Sequence, residues 1–209
     1  MKLYYSPGAC SLSPHIALLE AGLPYDLVKV DLRAKKTESG DDYLAVNPKG
    51  QVPALRLDSG ELVTEGPVIV QMIADQAAAK GLAPARDSAE RYKLLEWLNF
   101  ITTELHKNFG PMFSPVLADD AKAFFRDRVM GKFKYVDSQL AGRDYLMGKQ
   151  FTVADGYLYA VASWSKHVGI DPSRWPELAA YLDRVAARPN VRKALIAEGL
   201  LKEATASAR

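Results

Sequence analysis

Within the first 32 residues, a short apolar run from Met1 to Tyr5 leads through a turn to a helical pattern, Leu12 to Ala21. An alternating run follows from Tyr25 to Leu32. Strand, helix and strand in so short a stretch form a βαβ unit, because parallel neighbours need a crossover and the helix supplies it. The first two strands are therefore expected to be parallel, in a sheet with helices packed on it. Gly22 and Pro24 stop the helix. Its start has two readings, since Ser13 before Pro14 or Ser11 two residues earlier can serve as the cap.

The next fifty residues extend the layer. Arg33 to Asp42 is polar and basic and reads as a loop, with a short irregular helix allowed up to Val46. Lys35, inside it, reads on its own as a solvated charge. Asn47-Pro48-Lys49-Gly50 has turn composition, and Gln51 to Leu57 reads as a third strand with Pro53 at its mouth. Asp58 to Glu61 turns the chain into an antiparallel fourth strand, Leu62 to Thr64. Glu65-Gly66-Pro67 opens a helix with Val68, Ile69, Met72 and Ile73 on its apolar face, ended by Gly81.

The turn between the first strand and helix, Ser6-Pro7-Gly8-Ala9-Cys10-Ser11, holds the single cysteine of the 209 residues. On position alone Cys10 reads equally as a small buried hydrophobe or as a reactive thiol, since unpaired N–H groups at a helix start favour an anion. One cysteine excludes an internal disulfide and fits a reducing, cytoplasmic setting. The start of the chain has no signal-peptide pattern. A net charge of +2 carries no signal for nucleic acid or acidic membranes. No segment has the roughly 20 apolar residues that span a bilayer.

Lys80 to Asp87 is a linker by composition, and beyond it strand signals cease. A long helix from Ser88 carries Leu94, Leu95, Trp97, Leu98, Ile101 and Leu105 at helical spacing and ends at Gly110-Pro111. A second, from about Asp119 to Leu140, has Phe124, Phe125, Val129, Phe133, Val136 and Leu140 as its core stripe. Thr152-Val153-Ala154-Asp155 has the form of a capping box before the most apolar helix, Tyr157 to Trp164, with Gly156 where a hydrophobic staple would close. Glu177 to Ala187 and Val191 to Glu198 complete a bundle, and the small polar tail Ala204 to Arg209 is expected to fray. The expected organisation is an α/β domain over residues 1–81 and an all-α domain over 87–209.

The order β-α-β, loop, β-β-α is the thioredoxin-like arrangement. The chain resembles glutathione transferases, and within them the bacterial beta class, which carries cysteine in the first turn. The residues that bear the resemblance are Ser6 to Ser11, Asn47-Pro48-Lys49-Gly50-Gln51-Val52-Pro53, and Thr64-Glu65 leading into a helix. It extends over essentially the whole chain.

The resemblance implies glutathione as co-substrate, no metal, a small hydrophobic electrophile as second substrate, and a homodimer. It assigns Val52 to strand-like pairing with the tripeptide, next to a cis Val52–Pro53 bond. Glu65 and Gly66 are assigned to the γ-glutamyl end and Lys35 to the glycyl carboxylate. Asn99, Thr103 and His106, spaced four and three apart, share a helix face that alone would read as solvated. The resemblance instead closes this face, with Lys107, over the sulfur, and presents Thr103 and Glu104 to the other subunit's γ-glutamyl amine. Cys10, Ser11 and His106 are the catalytic candidates, with His106 either cationic or proton-accepting. The electrophile pocket is expected near Phe109, Met112, Phe113 and Trp164. His15 and His167 read as structural or surface residues. Two other functions stay open: a monothiol, glutaredoxin-like thiol-transferase or peroxidase acting through Cys10, and a non-catalytic binding protein.

Overall fold

The computed structural model describes residues 1–203, so the tail from Ala204 to Arg209 lies outside the described residues. Strand β1 (Lys2–Tyr5), helix α1 (Leu12–Ala21) and strand β2 (Asp26–Asp31) form the expected crossover, with β1 and β2 parallel and Leu3 beside Leu27. Strand β4 (Ala54–Arg56) runs antiparallel on the other side of β1, and β5 (Leu62–Thr64) pairs with β4. The alternation of β1 sorts its side chains between two cores. Leu3 and Tyr5 join Leu55 under α1 and helix α3 (Gly66–Gln76), whereas Tyr4 packs with Val30, Tyr43, Val52 and Ala54 on the opposite face.

Three features of this half depart from the sequence reading. The polar loop contains a two-residue strand, β3 (Lys36–Thr37), on the edge of β2, so the sheet has five strands in the order β3-β2-β1-β4-β5. An edge strand tolerates lysine, and its composition hid it. After helix α2 (Tyr43–Val46), the ladder begins only at Ala54, because Pro53 cannot donate to it. Helix α3 ends at Gln76, and a 3₁₀ turn, Ala78–Lys80, continues to the left-handed Gly81.

Among the described residues no strand follows β5. Helix α4 (Ala89–Phe100) passes into a π-helical segment, Ile101–His106, then a single turn, α5 (Lys107–Phe109), and a 3₁₀ turn, Gly110–Phe113. Helix α6 (Asp119–Leu140) buries Val129, Phe133, Val136 and Leu140, but Phe124 stands 58% exposed, one turn short of the core. Helix α7 (Val153–Ala162) is buried at every position. Its start is the expected capping box. Asp155 Oδ2 accepts from the Thr152 N–H at 2.7 Å and from its hydroxyl at 2.9 Å. Asp155 Oδ1 accepts from Leu146 N–H and Tyr181 Oη. A Cβ at Gly156 would stand 3.4 Å from Ile16 Cγ2, so α1 and α7 pack here at ordinary contact distance. Helices α8 (Pro176–Ala186) and α9 (Pro189–Ala197) close the bundle.

The sheet half and the helical half share one hydrophobic core, running from Leu3 and Ile16 through Leu98 and Leu158 to Ala194. Helix α1 is its axle, packed against α3, α7 and α9. No helix among the described residues is long and apolar enough to cross a membrane.

Candidate active site

The first turn is built to hold its shape. Ser11 does not cap α1. Its hydroxyl accepts from the Ser6 N–H at 3.1 Å and donates to the Ser6 carbonyl at 3.2 Å, tying the two ends of the turn together. Gly8 sits at φ +69°, a left-handed conformation that glycine adopts without a Cβ penalty. Its N–H donates to Glu198 Oε2 at 2.9 Å, and its carbonyl accepts from Trp164 Nε1 at 2.8 Å. Glu198, just after α9, also binds the buried His15 Nδ1 at 2.9 Å, which gives His15 the structural place expected for it. His167 is exposed. The helical half therefore fixes the turn that presents Cys10.

Cys10 Sγ donates to the Val52 carbonyl at 3.1 Å. The N–H groups of Cys10 and Ser11 and the charge of Lys107 act on the sulfur in the direction anticipated for a helix start. Burial outweighs them and pushes the thiol up to about 11. In this state Cys10 is a thiol at neutral pH, not a resting thiolate.

Beside Cys10 opens a cavity of about 280 Å³ between the two halves. Its floor is Ala9, Cys10, Val52 and Pro53, across a cis Val52–Pro53 bond. One end holds Lys35 and Gly50, with Lys35 Nζ donating to the Gly50 carbonyl at 2.7 Å. The other end holds Thr64, Glu65 and Gly66. Pro67 has no N–H, and the N–H groups of Val68 and Ile69 go to the Glu65 carbonyl, so Gly66 supplies the free donor of the first turn of α3. Thr102, His106, Lys107 and Tyr157 form the roof.

The roof differs from the expectation in its register. A π-helical turn holds about one more residue than an α-turn, so it rotates everything beyond Phe100 relative to α4. Asn99 and Thr103 are exposed and do not line this cavity, and Thr102 stands there instead. Glu104 also lies outside it, paired to Lys132 at 2.7 Å. His106 and Lys107 are brought to the cavity as anticipated. His106 Nδ1 lies 2.7 Å from Tyr157 Oη. Burial, reinforced by Lys107, pulls the imidazole down to about 4, so His106 is neutral near pH 7. Phe109, Met112 and Trp164 are core residues behind His106, with Trp164 edge-on to it at 5.0 Å, and Phe113 does not line the cavity.

Three residues of the cavity escaped sequence reasoning. Lys49 donates to Thr64 Oγ1 at 3.0 Å and pairs with Glu65. Its place in a turn motif concealed this role. Thr102 stands four residues before His106, next to Thr103, and its residue type carries no mark of a site. Tyr157 sits in an apolar run where nothing in the sequence marks its hydroxyl.

The model of the glutathione S-transferase N-terminal domain matches residues 8–76, and that of the C-terminal domain matches residues 100–189. The chain is 48% identical over 200 residues to glutathione S-transferase GstA of Escherichia coli O157:H7, covering 96% of this chain and 100% of that protein. A sphingomonad glutathione S-transferase complexed with glutathione is 53% identical, with a TM-score of 0.93 over 96% of this chain and 100% of that one. The bacterial beta class glutathione S-transferase of Sphingomonas chungbukensis is 50% identical, with the same TM-score and the same two coverages. Matched along its length in sequence and in fold, the protein belongs to the glutathione S-transferase family, in its bacterial beta class.

Proposed function

We propose that this glutathione transferase binds the tripeptide along the cavity floor and uses its thiolate against small hydrophobic electrophiles. Val52 would pair with the cysteinyl residue, as an added strand does. Lys35 would take the glycyl carboxylate, and Gly66 N–H with Glu65 the γ-glutamyl end. Lys49 stands where it could exchange its Glu65 partner for a ligand carboxylate. The observation that carries the reading is that His106 roofs the same cavity whose floor holds Cys10 and Val52.

The sulfur would then meet the N–H groups at Cys10 and Ser11 from below and His106 from above. These favour the anion, so the thiol gives its proton to water and the thiolate attacks the electrophilic carbon. In a substitution, the leaving group departs with the bond electrons. Ser11 contributes by holding the turn, since its hydroxyl is already spent on Ser6. Cys10, protonated and bonded to Val52, is a neighbour of the reacting sulfur and not the nucleophile.

Outside their own cavity, Asn99 and Thr103 are exposed toward a second copy, and Glu104 would serve one by exchanging its Lys132 partner. Val68 and Tyr92, on α3 and α4, are 52% and 74% exposed and support a homodimer through that side. Light scattering should give twice the chain mass. The lone cysteine supports a cytoplasmic location. The defining test is conjugation of glutathione to an aryl halide by wild type and Cys10→Ala. Conjugation that survives in Cys10→Ala, with any thiol transfer lost, supports the assignment. Thiol transfer without conjugation in the wild type would overturn it in favour of a thiol-transferase.

A further inference from the structure

Thr102, His106 and Tyr157 form a hydrogen-bonded cluster in the cavity roof, and the placement of its protons can be worked out. Thr102 Oγ1 donates its only proton to the Leu98 carbonyl at 2.7 Å, so toward Tyr157 it can only accept. Tyr157 Oη lies 2.7 Å from His106 Nδ1 and 3.4 Å from Thr102 Oγ1. The phenol has one proton to place. Hydroxyl donors work at about 2.5–3.0 Å, which the imidazole satisfies and the threonine does not. A neutral imidazole whose Nδ1 accepts must carry its hydrogen on Nε2. Both rings are in the forms this requires, since burial holds His106 neutral and pushes the Tyr157 phenol up.

Taking as its basis the reading that glutathione's sulfur meets His106, we propose that Tyr157 is a positioning residue. By donating to Nδ1 it fixes His106 as the Nε2–H tautomer, which makes His106 a hydrogen-bond donor to the thiolate and not the base that removes its proton. The thiol proton leaves to water, and His106 keeps the same single hydrogen throughout. Thr102 and His106, four residues apart on the π-helical segment, both reach this phenol, and because the Thr102 proton goes to Leu98, threonine cannot compete for Nδ1 as a donor. His106 Nε2 has no protein partner among the described residues, which leaves it for the ligand.

The test uses full-length protein labelled with ¹⁵N in histidine, with long-range ¹H–¹⁵N spectra recorded at neutral pH without and with glutathione. The inference expects Nδ1 of His106 in the bare-nitrogen region and Nε2 in the hydrogen-bearing region, with Nε2 moving on addition of glutathione. A bare Nε2 overturns it. If glutathione leaves both ring nitrogens of His106 unmoved in an active enzyme, the underlying reading of the site fails instead. Two variants give an independent arm. Tyr157→Phe should lower kcat about tenfold with the KM for glutathione little changed. His106→Gln, whose amide N–H can stand near Nε2 but which is no base, should stay within a few-fold of wild type, where His106→Ala falls well below it. Equal loss in His106→Gln and His106→Ala would contradict a donor role.

Discussion

At the first turn, two opposing influences meet on one sulfur atom. Backbone N–H groups and Lys107 pull the Cys10 pKa down, and burial raises it further than they lower it, to about 11. Only the thiolate reacts with alkylating agents, so a raised pKa means that Cys10 stays protonated and slow across neutral pH. Its alkylation by iodoacetamide should climb about tenfold per pH unit from pH 7 to about pH 10, without a plateau. A plateau below pH 8 would mean that the sulfur is better solvated or better stabilised than these contacts allow. Gly66 offers a complementary test. A Cβ there meets nothing closer than Pro53 Cγ at 3.7 Å, so a side chain fits without strain. Gly66→Ser adds a donor at the γ-glutamyl end, and one such bond is worth about 1 kcal/mol. The KM for glutathione should fall about fivefold with kcat unchanged. An unaltered KM would place the γ-glutamyl carboxylate elsewhere.

Elements divide sharply into those that sequence patterns reveal and those they do not. The crossover β1-α1-β2 and helix α6 emerge from periodicity and stop signals, because amphipathic period and glycine or proline punctuation are local. The π-helical turn does not, since its apolar residues Ile101 and Leu105 fit an α-pattern equally well. On this stretch Thr102 lines the cavity, whereas Asn99, on α4, and Thr103 are exposed outside it. Strand β3 was invisible because edge pairing places no demand for apolar residues on Lys36. The capping box of α7 was legible because it is a spacing rule. With its hydroxyl bound to buried Asp155, Thr152→Ala should cost ~1 kcal/mol, read as a lower urea midpoint at unchanged slope. Equal midpoints would show that Asp155 does not need that donor.

At the scale of the molecule, the two halves are bound into one core, with α1 between the sheet and α7. The same packing positions the chemistry. Glu198 and Trp164, from the far end of the chain, hold the N–H and carbonyl of Gly8, and the cavity takes its floor from one half and its roof from the other. Cys10, Val52 and Glu65, which line this cavity, lie in proline- and glycine-punctuated turns that carry the family resemblance, and it is that resemblance that points to them. Sequence reading reached the roof only in part, because which helix face closes over a site depends on packing at long range. The central claim is that this cavity ionises glutathione. Its most direct test is the ultraviolet absorbance of the thiolate, followed against pH with glutathione bound to wild-type protein. The account predicts that bound glutathione ionises about 1–2 pH units below the free thiol. A bound thiol that titrates at the free value would contradict it.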